Sequence, residues 1–428
     1  MSERSQVLGL IAGGGDPFSP WPSPRLALLG SALWAARNLI AIFPIAALVC
    51  ACSKSGLSPS DHPDAGLLQP NRQFSCTHEL SHLPALNTDA DKLFMYARYL
   101  QKHSDPVDFY DIMRYYRIAA AYAHYKANGN AQLLIVQGLV AAPDGPKEAV
   151  DLAMQLMREG YPGGYYDVGH YLEVGYGVQQ DTAAAMRYFR KAADLGSPEA
   201  QTYVADKLEP ADMAPGVSRQ MLRCASEQGN GDAATRLGIN LKLDKQYLKA
   251  LTQFQTGVAA GDAQSAFNLE RAFADGSNIG EDDRLGMARD PERARRYRAI
   301  RAFVRRNDGR NPKLPDIDKI VPLPPAPLPA WDGTFQWEKE QAAAKPPEKP
   351  SDDLVNRMAK DKNLDPSTGL PLSDAPANTS EIKQQPATVE NRADHLPLGT
   401  VAILDRWRDG REQTKNVAWQ PAWYSDNA

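Results

Sequence analysis

Glycines recurring at a near-constant interval constrain this chain more than any other feature. Gly129, Gly160, Gly196, Gly229 and Gly261 follow one another at steps of 31, 36, 33 and 32 residues. A period of this size marks one supersecondary unit used repeatedly, because a single unit cannot bury its own apolar face and must stack on its neighbours. In the clearest unit, Gly164, Val168, Gly169 and Leu172 share one face of a helix, and Ala185, Phe189, Ala192 and Ala193 share one face of a second. Gly175-Tyr176-Gly177-Val178 reverses the chain between them, Asp181 is placed to cap the second helix, and Gly196 closes it. Small residues at facing positions let the two backbones approach, which predicts an antiparallel helical hairpin. Phe189, Leu222 and Phe254 each stand seven residues before a closing glycine, so the hairpin recurs. A last unit begins near Ser265 and ends in Asp290-Pro-Glu-Arg-Ala-Arg-Arg-Tyr297, with 277–287 looped into its turn. The expected fold class is therefore all-α, a solenoid of hairpins followed by an extended Pro-rich C-terminal segment.

The unit at 164–196 resembles the Sel-one-like repeats, a branch of the tetratricopeptide-like helical repeats. The matching pattern is Gly164, Val168-Gly169, Leu172, Gly175-x-Gly177-Val178, Asp181, Ala185, Tyr188-Phe189, Lys191-Ala192-Ala193 and Gly196. The resemblance covers roughly 110–305 and implies a right-handed α-α superhelix. It speaks to fold and not to activity.

The ends of the chain differ in character from its middle. Residues 1–52 carry Arg25 and Arg37 ahead of an apolar run from Asn38 to Cys50, the pattern of a signal-peptide core. Val49-Cys50-Ala51-Cys52 has the form of a bacterial lipobox, with Cys52 as the lipidated residue. The alternative, an uncleaved anchor over about 26–51, would place Arg37 inside the bilayer at high cost. Ser53 after the cysteine fits the outer rather than the inner membrane, so the expected location is the periplasmic side of the envelope, held by a lipid anchor. The 1–24 stretch is long for a signal, and the start codon is open to question. Beyond Cys52 the expected divisions are a flexible tether at 53–88, an N-terminal helical cap at 89–128 and the solenoid at 129–308. A Pro-rich extended segment at 309–350, a short helix with a disordered linker at 351–397, and a tail at 398–428 follow.

Chemistry is sparse. A net charge of −4 offers no basic field for nucleic acid. Phosphate-cradling glycine loops, nucleophile elbows and paired carboxylates are absent from the sequence, so neither a cofactor nor a small-molecule substrate is expected and the chain is not read as an enzyme. His78-Glu79-x-x-His82 matches the zinc-protease motif. Pro84, however, falls where that helix must continue, so no metal is assigned. Cys76 and Cys224 are the cysteines left after Cys52 is processed, and either a disulfide or two buried free thiols is compatible with them. Tyr96, Tyr99, Tyr115, Tyr116, Tyr122 and Tyr125 fall at helical spacing in the cap, where core packing and a ligand platform both remain open. The run Arg293, Arg295, Arg296, Arg298, Arg301, Arg305 and Arg306 forms a basic helix. It either grips an acidic partner or lipid, or pairs with Glu281, Asp282 and Asp283 of the preceding loop.

A solenoid presents the first helices of successive units as one long binding face. Residues lying off the core stripe there are Tyr165, Tyr166, Asp167, His170, Tyr171, Gln201, Tyr203, Arg236 and Asn240, the candidate protein contacts. Over the mature chain, the Cys76-Thr-His-Glu-Leu-Ser-His-Leu-Pro start, the 310–337 segment and the Leu396-Pro-Leu-Gly-Thr-Val-Ala tail resemble a narrower group of repeat lipoproteins. Such proteins are often encoded beside phospholipase effectors of type VI secretion. The resemblance implies an immunity protein that binds and neutralises a phospholipase in the periplasm. An envelope scaffold without a toxin partner is the alternative.

Overall fold

The structure, a computed structural model, describes residues 73–372 except 105, 141, 212, 277 and 278. The leader and lipobox around Cys52, the first part of the tether, the linker beyond 372 and the 398–428 tail lie outside these residues. Among the described residues the regular structure is helical, apart from one isolated bridge between Leu364 and Pro371.

Six antiparallel hairpins follow one another. They pair α1 (Thr88–His103) with α2 (Phe109–Ala120), α3 (Tyr125–Val136) with α4 (Gly145–Arg158), and α5 (Pro162–Val174) with α6 (Thr182–Asp194). Then come α7 (Pro198–Leu208) with α8 (Pro215–Glu227), α9 (Gly231–Leu243) with α10 (Tyr247–Ala259), and α11 (Ala263–Phe273) with α13 (Pro291–Arg306). The short α12 (Glu281–Arg284) sits in the enlarged last turn. The second helix of each hairpin also packs on the first helix of the next, which makes the array a solenoid.

One local device sets the period. Gly160, Gly196, Gly229 and Gly261 all take left-handed φ, between 83° and 108°. The following N–H then reaches back five residues: Tyr161 to the Leu156 carbonyl, Ser197 to Ala192, Asn230 to Ala225 and Asp262 to Gly257, at 2.9–3.1 Å. Ser197, Asn230 and Asp262 next use their own side chains to accept from the N–H three positions on, starting the next helix without an irregular linker. Gly129 does not belong to this series. It lies buried within α3, and Ala123 (φ 59°) closes the first hairpin instead, with His124 Nδ1 accepting from Ala127 N. The cap therefore ends at 123 rather than 128. Gly129 imitates the series because Asn130 and Ala131 copy the turn residues by chance, while the helix from Tyr125 is already capped.

Within the best-formed unit, each small residue answers a close approach. A Cβ at Gly169 would lie 2.7 Å from a ring carbon of Phe189, and Gly238 and Phe254 repeat the contact at 2.6 Å. A Cβ at Gly164 would collide with the backbone of α4, and one at Gly177 with Pro146. Ala185, Phe189 and Ala192 are fully buried, Gly175 ends α5 at φ 73°, and Asp181 accepts from Ala184 N at 2.8 Å to start α6.

Two extended stretches cross the edge where the closing glycines line up. From 73 onwards the chain is docked rather than tethered, so the tether expected over 53–88 stops short of that point. Gln228 holds this first strap: its Oε1 accepts from Glu79 N at 2.7 Å while its Nε2 donates to Gly196 O and Gln201 Oε1. Cys76 and Cys224 are joined as a disulfide, with their Cα atoms 5.6 Å apart. The strap then turns through a 3-10 helix at Glu79–His82. Downstream, the second strap passes Gly261 at Pro312, and Leu314 N donates to Ala259 O at 2.9 Å.

The Pro-rich segment is not uniformly extended, since α14 (Ile317–Ile320) and α15 (Gln336–Ala343) interrupt it. Leu314, Ile317, Ile320, Val321 and Phe335 are buried in the solenoid core, and Phe335 stacks on Phe303 at 4.0 Å. The arginines of α13 hold the segment: Arg296 Nη1 donates to Ile320 O at 2.6 Å, and Arg293 donates to the carbonyls of Pro322 and Ala326. Arg298 and Arg301 pair with Glu270, while Arg295 and Arg296 pair with Glu292. The acidic loop expected to neutralise this helix pairs elsewhere, Asp283 with Lys242 and Arg271, and Asp282 with Lys245.

Finally, α16 (Asp352–Asp361) packs Val355, Met358 and Ala359 into the core of the first hairpin. The nine-residue step from 343 to 352 can span no more than about 30 Å. A single short connection thus ties the last hairpin to the first. Residues 365–372, expected in the disordered linker, form a turn in which Asp365 accepts from Ser367 N and Thr368 N. Arg114 and Arg117 fasten that turn through the carbonyls of Pro366 and Thr368.

Candidate protein-binding site

The row of first helices does not expose the residues that their spacing singled out. Asp167, Tyr171, Gln201, Tyr203 and Asn240 are buried, and only Tyr165, Tyr166, His170 and Arg236 are partly open. The reason lies in stacking: the off-stripe side of these first helices meets the first helix of the preceding unit and the first strap. Tyr171 OH donates to Gln132 Oε1 at 2.9 Å and Tyr203 OH to Glu173 Oε1 at 2.5 Å, so both phenols tie one hairpin to another. Gln201 donates to the carbonyls of Thr77 and Ala193, holding the first strap. His170 lies edge-on to Phe189 at 4.7 Å and bonds Glu173, while Arg236 is paired with Asp206 and Asp232. Burial pushes the Glu173 carboxyl up, but the bonds from His170 and Tyr203 bring it below the ordinary range. In the cap, Tyr115 and Tyr116 are fully buried and Tyr125 nearly so.

The open feature lies on the edge beside them. A cleft of about 740 Å³ runs between the first strap (His78, Glu79, Leu80, Leu83) and the starts of α7, α9 and α11, with Asn311 and Lys313 of the second strap on the far wall. Its floor repeats along the chain, because equivalent positions of successive hairpins stack. Glu199 and Asp232 both stand three residues past a closing glycine, and Asp262 stands one past. That shared offset was the available sequence signal for Glu199, while Asn311 and Lys313, also missed, carried none. Burial drives the Glu79 carboxyl well above its ordinary pKa, reinforced by the charges of Glu199 and Asp167. Burial likewise lifts Glu199 to about 7 and raises Asp262. Leu80, at the mouth, is 79% exposed.

The zinc-motif geometry is not formed here. His78 is extended and only Glu79–His82 form a four-residue 3-10 turn, with Glu79 pointing beneath the strap. Cys76, His78 and Cys224 place possible ligand atoms within 4.8 Å of one another, yet the two sulfurs are bonded to each other and offer no thiolate.

A family model described as a domain of unknown function (DUF6396) matches residues 265–372, which run from α11 to the turn on Arg114 and Arg117. No curated protein matches the chain. Among solved structures, the immunity protein PA5088 from Pseudomonas aeruginosa is similar over 60% of this chain and 96% of its own, at 25% identity and a TM-score of 0.50. The immunity protein Pa5087 of the same organism matches over 60% and 96%, at 28% identity and 0.48. A Sel1 repeat protein from Oxalobacter formigenes matches over 51% and 88%, at 19% identity and 0.41. The fold is a solenoid of stacked helical hairpins. Its cleft and straps are what this solenoid offers for binding another protein.

Proposed function

We propose that this chain is an immunity protein, a solenoid that binds and neutralises a phospholipase effector of type VI secretion at the periplasmic face of the envelope, anchored through lipid on Cys52. The observation that carries the proposal is the likeness to the immunity protein PA5088 along nearly that protein's whole length. The architecture supports it. Hairpins braced end to end by the C-terminal segment, with a strap stapled across their edge, make a preformed surface that loses little freedom on binding.

The test is co-expression of the chain with a type VI phospholipase effector, chosen from any encoded beside its gene. Survival of cells that the lipase alone kills, together with co-purification of the two, is the expected result. Continued killing and no complex would end the proposal and favour an envelope scaffold. Replacing Cys52 with Ser should abolish lipid labelling and weaken protection, and retained labelling would refute the anchor.

A further inference from the structure

The edge cleft is lined by five carboxyls, Glu79, Glu199, Glu227, Asp232 and Asp262, against two lysines, Lys126 and Lys313, an acidic surplus. Glu79 Oε1 is sealed from solvent and has no hydrogen-bond partner. Among the described residues no lysine or arginine forms an ion pair with Glu79 or Glu199, and Glu227 has only His78, at 3.8 Å. Glu199 meets its own backbone N–H, Ser197 Oγ at 3.4 Å and, without an ion pair, the charge of Lys313. Across the cleft, Asn311 Nδ2 is also buried and unpartnered, on a residue held at a left-handed φ of 50°. An acceptor without a donor on one wall and a donor without an acceptor on the other are costly within the chain, and each calls for a complementary group from outside. The raised carboxyl pKa values at Glu79 and Glu199 fit the same picture, since a carboxyl that burial keeps protonated gains an ionised form when a cation arrives beside it.

We propose that this cleft, on the protein-binding function above, receives a basic segment of the bound polypeptide. A lysine or arginine side chain enters between Glu79 and Glu199, and a main-chain carbonyl meets Asn311 Nδ2. Leu80 beside the mouth covers the aliphatic stem of that side chain. The surrounding Glu227 and Asp232 steer the segment in, which makes association fall with salt.

The experiment is calorimetric titration of the full chain with a short alternating lysine–alanine peptide and with its glutamate–alanine counterpart. The lysine peptide should bind and the glutamate peptide should not. The double variant Glu199→Gln/Glu227→Gln should weaken the lysine peptide about tenfold without lowering the melting temperature. Unchanged affinity in that variant overturns the proposal, as does competition by spermidine equal to that of the peptide, which would assign the cleft to free polyamines. Glu227→Gln alone, at an exposed carboxylate, and Asn311→Ala serve if the double variant does not fold, and each should weaken binding on its own. Capture of the phospholipase effector separates the two levels. If wild type and double variant capture it equally, the cleft assignment fails and the immunity function stands. If neither captures it while the lysine peptide binds wild type, the immunity function fails and the titration alone judges the cleft.

Discussion

The contact between Gly169 and Phe189 gives a quantitative test of how the hairpins pack. An alanine in place of a helix-interior glycine ordinarily stabilises by about 0.5–1 kcal/mol, because the unfolded chain loses freedom. Here the added methyl would sit 2.7 and 2.8 Å from two ring carbons of Phe189. Carbon contacts settle near roughly 3.5 Å or more, so the ring would have to retreat by about 0.8 Å. It has nowhere to go. Phe189 is fully buried, with the rings of Tyr203 at 4.2 Å, His170 at 4.7 Å and Tyr166 at 5.7 Å around it. Overpacking of this kind costs about 1–3 kcal/mol, which outweighs the backbone gain. Gly169→Ala should therefore destabilise by about 1–2 kcal/mol in urea titration, and lower the melting temperature by roughly 2–6 °C. Gly238→Ala should do the same against Phe254, while Gly216→Ala, with nothing within 4 Å, should be neutral or mildly stabilising. Adding Phe189→Leu to Gly169→Ala should recover part of the loss as a favourable coupling. A Gly169→Ala protein more stable than wild type would refute the close-approach account of these glycines.

Further outcomes follow from the straps and the buried carboxyls. Reducing or removing the Cys76–Cys224 link, which spans 148 residues, should lower stability by up to about 5 kcal/mol and expose the 73–83 strap to proteases, read by limited digestion with and without reductant. Arg296→Ala removes the bond to the Ile320 carbonyl and the pair with Glu292, so cleavage within 320–337 should rise and stability fall by about 2–3 kcal/mol. Glu199 holds its proton in the folded chain up to about pH 7 but releases it near 4.5 when unfolded. The stability this provides is complete below about 4.5 and is lost as pH rises through about 7. Glu199→Gln should flatten the melting-temperature profile across that window, and a slope equal to that of wild type would count against the buried setting of this carboxyl.

The repeat was legible in the sequence because its determinants are local. A left-handed glycine, a capping Ser, Asn or Asp just behind it, and apolar positions at helical spacing all act within a turn or two of chain. Gly196-Ser197 and Gly261-Asp262 therefore announced their turns unaided, and Gly129-Asn130 misled only because the same letters fell inside a helix already capped by His124. What surrounds a helix face is not local. Tyr203, Gln201 and Asp167 read as surface because the stripe they avoid is the one facing their own hairpin partner. The neighbours that bury them lie about 30 to 125 residues away, at Glu173, Thr77 and Gln132. The same holds for the union of Cys76 with Cys224 and for the gathering of Glu79, Glu199 and Asn311 around one cleft. Sequence alone determined the hairpin, its period and its caps. Only tertiary stacking decided which residues face solvent, because burial is set by whichever distant segments fold against a surface.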